Sequence, residues 1–420
     1  MSDRSRPERK HGALKEKSQP VVLLSATMWW PLSARMAIAF LRHGCRVSAV
    51  CPPGHPLRFV RGLDYVSTYQ GFDSISSLKA AIEQTSPDII IPCDDGVVWQ
   101  LHELYSKNPE LQPLIEKSLG SAAAFQVIQS RGAMLNTAIT LGIRVPRTKT
   151  VSSTEEIEHW EAGFPAVLKL DGTWGGAGVA VAATVAEAIT AFHRLSKPMG
   201  SSTAWKRWLI NHDPLALWSW KKREAPRVTI QQFIPGRPAN TMFVCWQGDL
   251  LGLVTVEVLA AQGTTGAATV VRVIDNPEIE KTARLLARKF NLSGFHGLDF
   301  VLESATGDAY LIELNPRSTQ LGHLRIPIQG DLAGILSAKL RDQPPPKAED
   351  CIRSSTIAFF PQAITWNPKS EFLSLGFHDI PLEEPALHQE LLRKSWPERR
   401  LLSRIYHLFR PTKQQREVKF

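Results

Sequence analysis

Ser293-Gly-Phe-His-Gly-Leu-Asp-Phe-Val-Leu-Glu-Ser-Ala-Thr-Gly-Asp-Ala-Tyr-Leu-Ile-Glu-Leu-Asn-Pro-Arg317 reads as two apolar, β-prone runs joined by Ala305-Thr306-Gly307. A three-residue hairpin loop takes a type I turn followed by a left-handed residue, and Gly307 stands where that residue falls. This loop puts Ser304 opposite Asp308, and therefore Asp299 opposite Glu313, with Asn315 on the same sheet face. Two carboxylates whose Cβ atoms lie roughly 5 Å apart repel by about 3 kcal/mol at an effective dielectric near 20. A divalent cation between them would reverse that sign, and the hard oxygen donors of Asp, Glu and Asn point to Mg²⁺ or Mn²⁺ rather than zinc. A hairpin whose acids face water is the other reading of these residues.

Upstream, Pro277 to Asn291 is an amphipathic helix with Ile279, Ala283, Leu286 and Phe290 on one face, feeding directly into the hairpin. Further back, Val228-Thr-Ile-Gln-Gln-Phe-Ile-Pro-Gly236 is a strand running into a hinge, followed by strands at Met242–Trp246 and Leu250–Val258. Phe164-Pro-Ala-Val-Leu-Lys169-Leu-Asp171-Gly-Thr-Trp-Gly-Gly-Ala-Gly-Val179 delivers Lys169 on a strand and then supplies glycines at 172, 175, 176 and 178. Glycines let the backbone approach a ligand and turn its N–H groups inward, as in a phosphate cradle. The lysine precedes the glycines, so the Walker pattern is not met. A glycine-rich hairpin turn remains the plainer reading. Gln129-Ser130-Arg131-Gly132-Ala133 opens a helical stretch that ends at Leu141-Gly142-Ile143, and Val145-Pro146 begins an extended link.

The first 120 residues have another character. Val21 to Leu24 is a buried strand, Ser33 to His43 a helix closed by Gly44, and Arg46 to Cys51 a second strand. A third strand, Asp88 to Pro92, meets the acidic turn Cys93-Asp94-Asp95-Gly96. Strands alternating with helices imply a small parallel α/β domain, with Ser25-Ala26-Thr27 where ligands bind in such sheets. The G-x-G-x-x-G fingerprint of dinucleotide binding is missing. Downstream of the hairpin, Leu324 to Leu340 reads as helix and Pro344-Pro345-Pro346 as the exit from the unit.

With Arg131, Lys169, the glycine loop, the hinge and Glu313-x-Asn315-Pro-Arg317 in this order, the chain resembles the ATP-grasp superfamily over roughly residues 20–340. It is most similar to the carbamoyl-phosphate-synthetase-like and carboxylate–amine ligase branches. The resemblance implies an N-terminal parallel α/β domain (20–120) followed by an ATP-grasp fold of two α+β subdomains (121–345), the lid subdomain at about 150–235. ATP would lie between the subdomains under a mobile glycine loop carrying Gly175, Gly176 and Gly178. Arg131 and Lys169 match the basic residues that reach the phosphates, where the chemistry is positioning and neutralisation. Gln231, Gln232, Phe233 and Ile234 match the adenine-binding hinge. Asp299, Glu313 and Asn315 match the ligands of Mg²⁺. Arg317, with its planar fork, matches the arginine beside an acyl-phosphate and, with Lys169, makes up the catalytic pair. Two departures stand out: Gln231-Gln232 replaces a hinge glutamate, and Ala239-Asn240 occupies the place of a ribose-binding acid, which leaves Asn240 as the substitute. One ATP-grasp unit leaves no room for the second half of a carbamoyl-phosphate synthetase. The implied activity is ATP- and Mg²⁺-dependent ligation of a small carboxylate to an amine. The alternative is an ATP-binding sensor or assembly factor without turnover.

Two stretches lie outside the resemblance. Residues 205–223 hold Trp205, Trp208, Trp218 and Trp220 beside Lys206, Arg207, Lys221, Lys222 and Arg223. They read as an elaborated lid burying its indoles, or as an amphiphilic surface. In the C-terminal extension (346–420), Leu401, Leu402, Ile405, Leu408 and Phe409 form one helical face, largely opposite Arg399, Arg400, Arg404 and Arg410. That is a basic amphipathic helix, suited to peripheral contact with an anionic membrane, to a partner groove, or to packing on its own domain.

The totals fit this division. The net charge of +9 belongs to the ends: residues 1–20, read as a disordered basic tail over 1–19, carry six Lys/Arg against three acids, and residues 391–420 carry nine against two. The body between them holds 34 basic and 35 acidic residues, so no dispersed nucleic-acid face is expected. Five scattered cysteines without a C-x-x-C pair suit a reducing, cytoplasmic compartment and argue against a disulfide frame or zinc site. No apolar run reaches the length of a membrane span.

Overall fold

The computed structural model describes residues 19–70, 73–172, 178–210, 213, 215–217, 220, 226–327, 330–347, 351–409 and 417–420, with the backbone alone at 406–409 and 417. The expected tail at 1–18, Gly175 and Gly176 of the glycine loop, and Trp218, Lys221, Lys222, Arg223 and Arg410 lie outside the described residues.

The first layer is a four-stranded parallel sheet. Its strands are β1 (Val21–Ser25), β2 (Arg46–Cys51), β3 (Tyr65–Thr68) and β4 (Ile89–Pro92), in the order β3-β2-β1-β4. The β1 and β4 runs are apolar because parallel strands are covered on both faces. β3 was not expected from sequence. Tyr65-Val-Ser-Thr68 is a part-exposed edge strand without the apolar run that marked the others, and it makes Ile89–Pro92 the fourth strand. Helix α1 (Leu32–Arg42) covers one face and closes where Gly44 takes φ +66°. Helix α2 (Asp95–Lys107) starts directly after β4.

The second layer begins with helix α3 (Arg131–Thr140), capped by Ser130. An antiparallel sheet follows, made of β5 (Thr148–Val151), β6 (Ala166–Leu170), β7 (Val179–Ala182) and β8 (Val228–Gln232), ordered β5-β8-β6-β7. Its core is Val151, Leu168, Phe192, Val228 and Ile230. Helix α4 (Ser201–Leu209) lies in the chain between β7 and β8.

The third layer is the large sheet. β9 (Gly236–Trp246), β10 (Asp249–Gln262), β11 (Ala268–Val273), β12 (Gly294–Glu303) and β13 (Ala309–Asn315) form most of it. The full order is β13-β12-β9-β10-β11 and then two strands from the C-terminal extension. The strand expected at Met242 begins at Gly236, so Ala239 and Asn240 lie within a ladder rather than in a loop. Helix α5 (Pro277–Phe290), capped by Asn276 and ended by left-handed Asn291, buries Ile279, Ala283, Leu286 and Phe290 against this sheet.

The helix expected over Leu324–Leu340 is only its second half. Pro327 cannot sit in a helix interior, and the chain instead makes the short hairpin of β14 (Arg325–Ile326) and β15 (Gly330–Asp331). Asp331 then accepts from Gly334 N–H and caps helix α6 (Leu332–Arg341). The segment read as an extension completes the large sheet. β16 (Thr356–Phe359) pairs with β11, β17 (Phe377–Asp379) runs parallel to β16, and β18 (Glu417–Lys419) pairs with β10. Helices α7 (Trp396–Arg399) and α8 (Leu401–Phe409) lie between β17 and β18 in the chain.

One apolar core joins the first and third layers. Val22, Leu24 and Phe40 pack with Met242, Phe295 and Leu321, and the rings of Phe40 and Phe295 meet edge-on at 6.1 Å. Among the described residues, no helix is long and apolar enough to cross a membrane.

Candidate active site

The paired acids stand as the hairpin argument has them, by a different route. Glu303 N–H bonds Asp308 O, Gly307 N–H bonds Glu303 O, and the ladder starts at Leu302↔Ala309, one residue out of the expected register. A bulge between Asp299 and Phe300 on one strand and Leu311 and Glu313 on the other absorbs that residue. Asp299 therefore pairs with Glu313 after all, and Gly307 takes φ +79°.

The two carboxylates are held differently. Asp299 accepts from Asn240 Nδ2 (2.6 Å) and Asn315 Nδ2 (3.0 Å). Burial and the neighbouring Glu313 push its pKa up, against those two bonds. For Glu313, burial pushes the same way, but the charges of Arg131 and then Lys169 outweigh it and hold the pKa below the usual range. Glu313 is thus the settled anion of the pair.

Arg131 is buried at the first turn of α3. Its guanidinium reaches Glu313 Oε1 (2.6 Å) and Asp171 Oδ1 (3.0 Å), and its buried Nε–H has no partner. Lys169, buried on β6, makes no ion pair within 4 Å among the described residues. Its pKa is lowered to about 8 by burial and by Arg131, with Glu313 and Asp299 opposing. An unpartnered N–H and an unpaired ammonium beside two acids form a donor set suited to an anionic ligand. Gly178 follows on the same strand pair, its carbonyl accepting from Leu170 N–H.

Arg317 closes the row. Its Nη2 lies 3.3 Å from Asn315 Oδ1, and its Nε donates to Asp95 Oδ1 at 2.9 Å. Asn315 therefore bridges Asp299 and Arg317. Asp95 belongs to the acidic turn after β4, where Asp94 caps α2 and accepts from Thr27 N–H and Oγ1–H (2.6 and 2.8 Å). Ser318 N–H also bonds Pro92 O, so the first domain's strand ends abut the Arg317 turn. Sequence reasoning gave Asp95 and Asp171 no role. Asp171 stands two residues past Lys169 and Asp95 follows an apolar strand directly, and those positions were the available signals.

The hinge residues divide. Gln231 and Gln232 lie inside ladders, where Gln232 N–H donates to Arg147 O and the Gln231 amide donates to Thr148 Oγ1 (3.0 Å). Phe233 and Ile234 lie in the break between β8 and β9, where backbone groups are outside the ladders. Asn240 departs from expectation: its amide is spent on Asp299, one strand over, so it stands beside the metal-ligand candidates rather than at a ribose site.

Whether these residues fit a cation is a question of donors. Among the described residues, no cluster of three His, Cys, Asp or Glu side chains could hold a metal alone. Asp299, Glu313 and Asn315 supply two carboxylates and an amide oxygen. That suits Mg²⁺, which usually takes one or two carboxylates and completes its shell with water and phosphate oxygens.

Residues 211–320 match the model of an ATP-grasp domain. The carbamoyl phosphate synthase large chain of Thermus thermophilus is 24% identical over 304 residues, which is 68% of this chain and 27% of that one. This chain therefore spans about a quarter of the length of that relative. Among solved structures, N5-carboxyaminoimidazole synthetase from Staphylococcus aureus superposes with a TM-score of 0.52 (15% identity; 78% of each chain). A biotin carboxylase–βγ-ATP complex from Campylobacter jejuni gives 0.55 (14% identity; 79% of this chain, 73% of that). N5-carboxyaminoimidazole synthase from Aspergillus clavatus, in complex with ADP and 5-aminoimidazole ribonucleotide, also gives 0.55 (16% identity; 80% of each chain).

Proposed function

The chain belongs to the ATP-grasp superfamily, and from that premise we propose that it is an ATP- and Mg²⁺-dependent ligase joining a small carboxylate to an amine. The observation that carries this is the row Arg131, Glu313, Asp299, Asn315, Arg317, in which basic and hard-oxygen side chains alternate in contact, with Lys169 near enough to feel the charges of Arg131, Glu313 and Asp299. Nucleotides bound to the solved relatives, ADP in one and βγ-ATP in another, support ATP as the ligand.

In this reading ATP lies between the 150–235 lid subdomain and the large sheet, its base against Phe233 and Ile234. Asp299, Glu313 and Asn315 would hold Mg²⁺, which when bound would supply neutralisation of phosphate charge. A substrate carboxylate oxygen attacks the γ-phosphorus, and the bond to the ADP oxygen breaks. Lys169 and Arg131 hold the equatorial oxygens of the moving group, where fixed positive charge acts most strongly. Arg317 orients the carboxylate and then the acyl-phosphate with its planar fork. The amine attacks the acyl carbon, phosphate leaves, and the amine proton passes to solvent. Cysteine usage supports a cytoplasmic setting.

A screen of ADP release across carboxylates and amines with Mg²⁺ present tests the reading. Substrate-dependent ADP formation that Glu313→Gln abolishes is expected. A Glu313→Gln enzyme releasing ADP at the wild-type rate would sink it. The second reading, ATP binding without turnover, is favoured by the glutamines that replace a hinge acid. Partner capture that depends on nucleotide, with no substrate raising ADP release, would select it.

A further inference from the structure

Ser403 of α8 is buried, and its hydroxyl donates to Ile210 O at the end of α4 (2.7 Å). Two helices separated by nearly half the chain are thereby joined, one from the lid segment and one from the C-terminal segment. Both carry large apolar side chains in water: Leu401 is 69% exposed, Leu402 54%, Ile405 43%, Trp205 44% and Leu209 39%. Leu401 and Ile405 are four residues apart, as are Trp205 and Leu209, so each pair lies on one helical face. These five belong to a total of 13 large apolar side chains exposed among the described residues, a concentration that scattered surface hydrophobics do not give. Of the residues of α8 whose side chains are described, the apolar Leu401, Leu402 and Ile405 are exposed and Ser403 is buried.

The surroundings are basic. Lys206, Arg393, Lys394, Arg400 and Arg404 are exposed on or beside these helices, and Glu398 is the one acid in 391–409. We propose that the joined α4–α8 face is a docking surface for an anionic lipid bilayer. Side chains exposed to this degree form a ridge rather than a groove, and a ridge suits the headgroup–acyl boundary better than it suits a partner helix. Exposed apolar residues, a tryptophan among them, together with exposed basic residues match the two contributions to interfacial binding, buried apolar area and attraction to anionic headgroups. The surface lies away from the Asp299–Glu313 pair in the chain and does not depend on the ligase reading.

Co-sedimentation of the full chain with vesicles of phosphatidylglycerol and phosphatidylcholine, against phosphatidylcholine alone, tests the proposal. Binding is expected with the anionic vesicles only. Leu401→Asp combined with Ile405→Asp should weaken it at least tenfold, with the melting temperature unchanged because both side chains are exposed. Arg400→Glu with Arg404→Glu should do the same by charge alone, which keeps the test sound if the first variant fails to fold. Absent binding to anionic vesicles overturns the proposal, as does binding at the wild-type level by both variants. A dimer seen by sedimentation velocity and dissolved by Leu401→Asp would overturn it in favour of a second copy of the chain.

Discussion

Arg317 and Asp95 tie the first domain to one end of the row of candidate site residues: Nε donates to Oδ1 at 2.9 Å across 222 residues of chain. Burial works against the guanidinium charge, and Asp95 more than offsets it, so the arginine is fully charged and fixed in direction. Asp95→Asn keeps the shape and removes the charge. A hydrogen bond to a charged group contributes about 1.5–3 kcal/mol, so kcat/KM for the carboxylate should fall by roughly 10–100-fold. Calorimetric ATP affinity should stay near wild type. An equal loss in both would place the pair in nucleotide binding instead.

Lys169 makes the pH prediction. Its pKa is lowered to about 8, chiefly by burial and then by Arg131. A lysine depressed in the folded state carries its penalty fully below that value and sheds it as the pH rises toward the unfolded pKa. In the ligand-free protein the ammonium is therefore lost as pH rises through about 8, although the fold gains from that loss. kcat/KM for ATP should decline on that alkaline limb. Lys169→Arg should flatten the limb, since guanidinium does not titrate there, at reduced activity because the fork does not reproduce a point charge. A limb that persists in Lys169→Arg would assign the titration to another group.

How far the sequence reaches follows from where each residue lies. Glu313 and Asn315 sit on a strand whose alternation assigns a face, so local pattern nominated them; Arg131 and Lys169 were assigned to the phosphates by what the family resemblance implies. Their partners are not local. Asp171 meets Arg131 across 40 residues, where a helix packs on the sheet of its own layer, and Asp95 meets Arg317 across 222, where separate layers meet. The hairpin succeeded through two offsetting irregularities, a shifted loop and a bulge, neither visible in residue type. β16 to β18 were missed because a short strand is defined by its neighbour, and β11 and β10 lie 80 or more residues upstream. Asn240 was assigned through the resemblance alone, and its bond to Asp299 comes from the pairing of β9 with β12.

Asp379 supports a prediction about acid stability. It accepts from Arg35 (2.7 Å) and pairs with His323 (2.6 Å), joining α1, the turn after Arg317 and β17. Burial would raise its pKa, but His323 and then Arg35 lower it to about 2 from 3.8. Its stabilisation is present above the unfolded pKa and is lost as pH falls toward about 2. Asp379→Asn leaves Arg35 buried with only the half-exposed Glu383, 3.4 Å away, as its anion, at a cost of about 3 kcal/mol, the low end for a broken buried pair. Urea unfolding at pH 7 should register that loss, and the gap from wild type should narrow toward pH 2. A gap independent of pH would mean that packing, not charge, accounts for the loss.

Two glycines separate strain from collision. Gly307 has φ +79° with nothing within 4 Å of an added Cβ, so Gly307→Ala meets only the left-handed backbone penalty, about 1–2 kcal/mol. Gly236 opens β9 directly after the hinge, and an added Cβ there would lie 2.1 Å from Leu302 O. That oxygen is backbone within β12, so the strand itself must shift. Gly236→Ala should therefore cost more, about 3 kcal/mol or above by the scale of overpacked cores, and should also weaken ATP binding because the hinge moves with the strand. Gly307→Ala should leave ATP affinity unchanged. Unfolding midpoints and ATP titrations of the two variants check both halves. Equal stability losses would mean that β12 yields to the added carbon, and would remove the steric account of Gly236.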